Sequence, residues 1–440
     1  MNQKKVVPLH PLINMVDLAQ LVRASDCGSE GRGFEPHIPP FISGNSSEFS
    51  LFLLRIISLV CKFVRNTIAM KVVLAPDSFK GSLTSSQVAD AMAEGVKLAM
   101  PDAEVVKLPL ADGGEGTSYV LCEALGGRMV SCVVQNPMNE PIVAEYCVAN
   151  ERAVIETAVA SGLTLVAEPE RNAVKASSIG TGQLILDALN RGCVDFTICL
   201  GGSATTDAGM GILVALGAKF YDSQSRELSA CGENLVKIAS IDISGLDNRL
   251  KACRFVVVCD VDNELFGTNG AAYVFSPQKG ASEAEVKLLD EGLRNFAEQV
   301  KNSVGVDVSE LKGGGAAGGI GAALMAFVGA ELRRGVDVVL DAVRFDEIVA
   351  DADVVITGEG KADQQTLMGK LPSGVLDRSH RKGVSVALVA GKVVDGEMLR
   401  EAGFAEVVCV TPLSMPLEEA MRSEIAKKNV VAAVANLMSK

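Results

Sequence analysis

Short apolar runs that end in glycine and in charged or hydroxyl residues recur along the chain from Met70 onward. Runs of this kind, separated by stretches with helical periodicity, predict buried parallel strands joined by helices. The pattern predicts strands over 71–75, 104–110, 196–200, 254–259, 352–357, 384–390 and 406–410. The chain is therefore predicted to adopt an α/β fold.

Helical segments follow most of these runs, and several open with a recognisable signal. Thr84 and Gln87 have the spacing of a capping box, in which each side chain pairs with the other residue's backbone N–H. The pattern predicts helices over 84–99, 117–125, 178–190, 212–217, 282–303, 322–328 and 423–438.

The pattern changes in the middle of the chain. Residues 128–157 alternate polar and apolar positions around a turn at Asn136 and Pro137, which predicts antiparallel strands. The strand–helix rhythm of 70–127 returns near 330–440. Because 440 residues exceed a usual single core, we expect two domains.

Residues 1–69 do not share this organisation. The apolar run 51–60 is short for a membrane span and is interrupted by Arg55. Residues 18–37 look like the translation of a transfer-RNA gene. We hypothesise that the start codon is assigned too early and that Met70 begins the protein. The alternative is a disordered or membrane-touching extension.

Composition narrows the chemistry. A net charge of −13 argues against a general nucleic-acid surface. Eleven scattered cysteines with no zinc-site spacing are typical of a reduced, cytoplasmic protein with no membrane partner. Only three histidines occur, and His10 and His37 fall in the N-terminal segment. We therefore expect carboxylates and lysines to carry any catalysis.

The stretch from Gly201 to Gly211 is the most informative motif. It lies between a predicted strand and a predicted helix and combines glycines, hydroxyls and Asp207. Glycines allow close backbone approach, and the N–H groups at a helix start attract anions. Asp207 adds a carboxylate that could bind a metal or accept a proton. The alternative is a turn with a helix-capping aspartate.

Similar polar loops follow other predicted strands. In parallel sheets, ligands bind beyond the carboxyl ends of the strands, so these loops predict one shared cleft. Carboxylates there could hold Mg²⁺. The candidate groups are Asp77 with Lys80, Asp112 with Glu115, Ser203 and Thr205 with Asp207, Asp260 and Asp262 with Asn263, and Glu359 and Lys361 with Asp363.

The glycine run 313–321 contains G-x-G-x-x-G, so a dinucleotide site is an alternative. That fingerprint requires a preceding strand, and residues 308–312 are short and polar. A phosphate-binding loop at a helix start is favoured, with close helix packing as the other interpretation. The chain contains no P-loop motif.

Taken together, APDSFKGSLTS, LADGGEGT, IGTG, GGSATTDAGMG, GGGAAGGIGAAL and TGEGKADQQTLMGKLPSGV closely resemble the bacterial glycerate kinases of the garK/glxK type. The resemblance covers Met70 to Lys440 in order. One departure is Asn263-Glu264-Leu265, where the family is expected to have Asn-Pro-Leu.

The resemblance implies phosphorylation of D-glycerate by ATP with Mg²⁺, with the 2-position preferred over the 3-position. It also implies a Rossmann-like or flavodoxin-like parallel-sheet domain formed by 70–128 and 330–440, and an inserted α/β domain over 129–329. The active site would lie between the domains. Another hydroxy-acid kinase, a nucleotide-dependent dehydrogenase, a non-enzymatic sugar-acid sensor and a homo-oligomeric state are left open.

We assign roles to these residues as hypotheses. Asp207 is the first candidate for general base or metal ligand, and Asp112 is the second base. Lys80 would hold the substrate carboxylate or the transferred phosphoryl group. Asp260 is a second metal ligand. Substrate and phosphate contacts are assigned to Asp77, Ser78, Gly201, Gly202, Ser203, Thr205, Gly315, Gly318, Glu359, Lys361 and Asp363.

Overall fold

The computed structural model describes residues 69–111, 113–114 and 116–440. The hypotheses on residues 1–68, Asp112 and Glu115 lie outside the described residues. Residues 72–101 and 105–440 belong to one compact unit. Among the residues described, no helix has both the length and the apolar character needed to cross a bilayer.

The strands of the described chain form two larger sheets and one two-stranded sheet. They are β1 (Lys71–Pro76), β2 (Glu104–Lys107), β3 (Arg128–Gln135), β4 (Pro141–Ala149), β5 (Arg152–Glu156), β6 (Asp195–Cys199), β7 (Lys219–Tyr221), β8 (Ser240–Asp242), β9 (Arg254–Val258), β10 (Glu331–Arg333), β11 (Val354–Ala362), β12 (Ser385–Val393) and β13 (Glu406–Cys409).

The first sheet has the order β2-β1-β11-β12-β13. It is built from both ends of the described chain, and the pairings β1–β11, β11–β12 and β12–β13 are parallel. Counted along the chain, the order is 2-1-3-4-5, which is the flavodoxin-like arrangement. The order reverses between β1 and β11, so their carboxyl ends flank the crevice where such sheets bind ligands.

The second sheet has the order β10-β9-β6-β5-β4-β3. β3, β4 and β5 pair antiparallel, which confirms the alternation predicted over 128–157. β5, β6, β9 and β10 pair parallel. The mixed α/β class is therefore confirmed. The division into two domains stays a prediction.

The helices cover the faces of these sheets. In the described residues they are α1 (Ser85–Ala99), α2 (Thr117–Ala124), α3 (Ala158–Ser161), α4 (Ile179–Asn190), α5 (Met210–Ala215), α6 (Ala271–Phe275), α7 (Glu283–Val304), α8 (Ile320–Val328), α9 (Gly335–Ala342), α10 (Phe345–Ile348), α11 (Leu371–Arg381), α12 (Gly396–Glu401), α13 (Leu417–Ala420) and α14 (Ser423–Met438). The Thr84–Gln87 capping box is present at the start of α1.

One continuous core joins the facing sides of the two large sheets. It contains Val73 of β1 and Val154 of β5, together with Leu121 of α2 and Val336 of α9. A second core buries the other face of the second sheet against α4 and α8, and Phe196 and Phe255 stack there with ring centres 4.6 Å apart. Burial of these apolar faces holds the strand ends, and hence the loops after them, in fixed positions.

Several predicted boundaries are wrong, among them the ends of two strands. The predicted strand over 104–110 ends at Lys107, two residues before Pro109, which has no N–H for a ladder. The predicted strand over 352–357 instead continues to Ala362, because Glu359 and Lys361 keep their parallel register with Ala390 and Lys392. Glu359 and Lys361 therefore lie on a strand and not in a loop.

Candidate active site

A cavity of about 330 Å³ lies beyond the carboxyl ends of β6 and β9. The residues that follow these strands, 200–203 and 258–261, form much of its wall, and residues 316–317 close another side. Five of the predicted site residues line this cavity: Lys80, Gly201, Gly202, Ser203 and Asp260.

The loop after β6 presents its backbone to the cavity. Gly201 and Gly202 are exposed, and Gly202 has φ +77°, a left-handed conformation that favours glycine. In the described part of the chain, the N–H groups of Gly201, Gly202 and Ser203 donate to no other protein atom. Three consecutive unpaired donors at a cavity wall are suited to an oxyanion.

Asp207 lies behind this loop and is fully buried. Its carboxylate accepts hydrogen bonds from the Ser178 N–H and hydroxyl, both at 2.8 Å, and from the N–H groups of Gly209 at 3.2 Å and Gly211 at 3.1 Å. Burial raises the pKa of Asp207, and these donors oppose that shift. The carboxylate thus joins the starts of α4 and α5.

Oδ2 accepts three of these hydrogen bonds and Oδ1 accepts one, so most of the acceptor capacity of the carboxylate is used and the arrangement favours a positioning role for Asp207. Its assignments as general base and metal ligand stay predictions. The contacts of Asp207 agree with the alternative of a helix-capping aspartate, since its partner Gly211 belongs to the first turn of α5.

Lys279 is a cavity residue that the sequence analysis missed. Its side chain is buried, and its Nζ donates to Ser203 Oγ at 3.0 Å and to the Thr205 carbonyl at 2.6 Å. Burial lowers its pKa to about 7, while the charge of Asp207 acts in the opposite direction. No sequence signal marked it, because it follows a short helix and not a strand.

Asp260 contacts the start of α9, where its Oδ1 accepts the Gly335 N–H at 2.8 Å. Asp77 is buried at the end of β1 and accepts the Ser78 N–H at 2.6 Å. Neither Asp77 nor Ser78 lines the cavity. Their assigned substrate contacts stay predictions.

A second polar group surrounds the end of β11. Glu359 is buried and accepts the Thr366 hydroxyl at 2.6 Å, with Lys370 Nζ 3.9 Å away. Burial raises the pKa of Glu359. Lys361 forms an ion pair with Asp363 at 2.7 Å. This group does not line the cavity, although the charge of Lys80 acts on Glu359.

Glu156, at the end of β5, was also missed. It is buried, and its carboxylate accepts the Ser118 N–H at 2.7 Å and the Gly116 N–H at 3.2 Å. It therefore caps the first turn of α2, which begins at Thr117. Nothing near Glu156 in the sequence indicates this contact, because its partners lie about forty residues away.

The glycine run before α8 packs against the loop after β6. A Cβ at Gly315 would lie 2.1 Å from the Glu264 carbonyl oxygen, and one at Gly318 would lie 2.1 Å from the Thr205 carbonyl oxygen. Residues 305–315 form no strand. This arrangement agrees with close packing at a helix start and lacks the strand of a dinucleotide fingerprint.

Gly318→Ala tests this packing. We expect it to lower the free energy of unfolding by about 1–3 kcal/mol more than Gly329→Ala. Both glycines have positive φ, but a Cβ at Gly329 meets nothing within 4 Å. Urea unfolding of both variants gives the comparison. Equal losses would mean that the Thr205 carbonyl moves aside without cost.

The described residues contain no cluster of three or more His, Cys, Asp or Glu side chains that could hold a metal ion. Mg²⁺ commonly takes one or two carboxylates together with phosphate and water, so such a cluster is not required. Asp260 fits this mode because it lines the cavity. Asp207 fits less well, because it is fully buried and three of its four hydrogen bonds already occupy Oδ2.

Comparisons with known proteins agree with this arrangement. The family model described as the glycerate kinase family matches residues 72–440. The glycerate kinase of Bacillus subtilis (strain 168) is 43% identical over 354 residues, covering 80% of this chain and 93% of that protein. The glycerate 2-kinase of Escherichia coli (strain K12) is 43% identical over 374 residues, covering 83% of this chain and 98% of that protein.

A crystal structure from Salmonella typhimurium LT2, provisionally named glycerate kinase 2, is 44% identical with a TM-score of 0.77. The match covers 84% of this chain and 98% of that chain. A family model and full-length relatives therefore agree over the same region, and the chain belongs to the glycerate kinase family of enzymes.

Proposed function

We propose that the protein transfers the terminal phosphoryl group of ATP to the 2-hydroxyl oxygen of D-glycerate, giving 2-phosphoglycerate and ADP. Family membership supports glycerate as the acceptor. The relative from Escherichia coli is named glycerate 2-kinase, which supports the 2-position. We propose the cavity beyond β6 and β9 as the site, and a location between two domains stays a prediction.

The observation that carries this proposal is the loop of three unpaired N–H groups at Gly201, Gly202 and Ser203. Phosphoryl transfer depends mainly on positioning and on stabilising charge at the phosphate oxygens. The loop that carries these donors is held by hydrogen bonds from the Leu163 N–H to the Gly202 carbonyl and from the Ala204 N–H to the Ser161 carbonyl, both at 2.8 Å. Backbone donors held in this way can supply both without moving during the reaction. Lys80 faces the same cavity and adds a positive charge.

We propose that Asp260 holds Mg²⁺ through one carboxylate oxygen. When bound, the ion would neutralise phosphate charge. The 2-hydroxyl loses its proton as the new P–O bond forms and the bond to ADP breaks. Asp112 stays the candidate base for that proton alongside Asp207, and it lies outside the described residues. A cytoplasmic location and an oligomeric state stay predictions.

The test uses the full chain with D-glycerate, ATP and Mg²⁺. We expect ADP release and a product whose ³¹P signal is a doublet, because C2 carries one hydrogen. A triplet would indicate the 3-phosphate, because C3 carries two. ADP release only with a different hydroxy acid would transfer the proposal to that acceptor. In a parallel assay with NAD⁺ or NADP⁺ added as the oxidant, glycerate-dependent reduction of the nicotinamide without ADP release would instead support the dehydrogenase alternative.

A further inference from the structure

The buried amine of Lys279 has an incomplete set of partners when it is protonated. Its ammonium has three N–H donors, of which the Ser203 hydroxyl and the Thr205 carbonyl accept two. Across the described residues, no carboxylate lies within 4 Å of its Nζ. Taking an ammonium out of water without an ion pair is costly, so the protonated form requires a compensating group.

The missing partner is best supplied by a ligand. Lys279 lines the cavity, and the hydroxyl to which it donates belongs to Ser203, whose own N–H is one of the three unpaired backbone donors. A cation and a row of amide donors thus share one wall. Both attract the same chemical group, an oxyanion of a phosphate or a carboxylate.

The charged surroundings of Lys279 do not replace that oxyanion. Asp207 acts on Lys279 electrostatically, but its carboxylate is already engaged by Ser178, Gly209 and Gly211. Among the residues that the structure describes, Lys80 and Asp260 are the other charged side chains of the cavity wall, and they carry opposite charges. The backbone of Arg171 packs against Gly280, the residue after Lys279.

We propose that Lys279 binds the oxyanion of the ligand in this cavity and that binding is linked to the uptake of one proton by its amine. This inference rests on the proposed function for the identity of the ligands, a nucleotide and a hydroxy acid. Because burial lowers the pKa of Lys279 to about 7, the amine is mostly neutral at pH 8 in the ligand-free protein. An arriving anion favours the ammonium, and the proton comes from the solvent.

The test measures proton uptake by titration calorimetry of the full chain in buffers with different ionisation enthalpies. MgATP alone, D-glycerate alone and inorganic phosphate are the probes. We expect one of the two substrates to bind with uptake of close to one proton at pH 8 and close to none at pH 6. The substrate that shows uptake identifies whether a phosphate or a carboxylate occupies the position.

Variants separate charge from packing. We expect Lys279→Met to abolish proton uptake and to lower the affinity for the substrate that shows uptake by at least about 30-fold. Lys279→Arg should recover part of the affinity without proton uptake, because arginine stays charged. Lys301→Met, which removes an exposed lysine of α7 paired with Asp307 at 2.8 Å, is the matched control and should behave as the wild type.

Proton uptake is measured on the unmodified protein, so a misfolded variant cannot conceal a negative result. Absence of uptake at pH 8 with all three probes would overturn the inference. Equal uptake by wild type and Lys279→Met would overturn it as well. If MgATP binds with proton uptake but the protein does not phosphorylate glycerate, the inference is kept and the proposed function is rejected.

Discussion

Asp207→Asn is expected to lower kcat/KM by at least about 100-fold and the free energy of unfolding by about 2–3 kcal/mol. An asparagine amide retains one oxygen, so its NH₂ group must face a backbone N–H that now binds a carboxylate oxygen. Gly209 or the Ser178–Gly211 pair would lose its acceptor. The loop that presents Ser203 would then shift. Steady-state kinetics and urea unfolding measure the two effects.

The pH profile separates a base from a positioning residue. If Asp207 is the general base, the acidic limb of kcat/KM disappears in Asp207→Asn. If Asp207 instead positions the loop, the acidic limb of Asp207→Asn keeps the midpoint pH of the wild type, and only the value of kcat/KM is lower. Asp222→Asn is the control, because Asp222 lies in the turn 222–226 and accepts the N–H groups of Gln224 and Arg226 there. A decrease in kcat/KM of less than about tenfold in Asp207→Asn would remove Asp207 from the residues needed for catalysis.

The wild type should gain stability relative to Lys279→Met as the pH rises from about 7 to about 10.5. In this window the unfolded chain binds a proton at Lys279 that the folded chain does not, since burial lowers the folded pKa from 10.5 to about 7. The difference in free energy of unfolding should grow by up to about 1.4 kcal/mol per pH unit. It should be constant below pH 7, where both states hold the proton.

Urea unfolding at several pH values gives this difference directly. Lys301→Met should run parallel to the wild type between pH 7 and 10, because the exposed Lys301 stays protonated whether folded or unfolded over that range. Parallel curves for wild type and Lys279→Met would show that the folded lysine keeps an ordinary pKa. A saturating concentration of the anion that binds Lys279 should reduce the pH dependence of this stability difference, because the bound anion restores the positive charge of the folded lysine.

The strand–helix order was predictable because its signals are local. Buried strands such as β6 and β9 are short apolar runs, and the capping box at Thr84 lies within four residues. The end of β11 was not predictable, because Gly358 to Ala362 read as a loop. Their extended form depends on pairing with β12, a contact that no local pattern contains.

The candidate site was predictable only where glycine marked it. Gly201 and Gly202 combine an open backbone with a position after a strand, and both line the cavity. The sequences around Lys279 and Glu156 contain no motif that distinguishes them from ordinary surface segments. Their importance comes from tertiary burial, which brings Lys279 to a serine 76 residues away and Glu156 to a helix start about forty residues away.

The first sheet also has a consequence for synthesis of the chain. Its central pair joins β1 to β11, and the Thr357 hydroxyl reaches the Ala75 carbonyl across 282 residues of sequence. At translation rates of about 5–20 residues per second, β1 waits roughly 15–55 s for this neighbour. The edge of β1 that pairs with β11 in the finished protein lacks that partner throughout the interval, while the entire second sheet can already assemble.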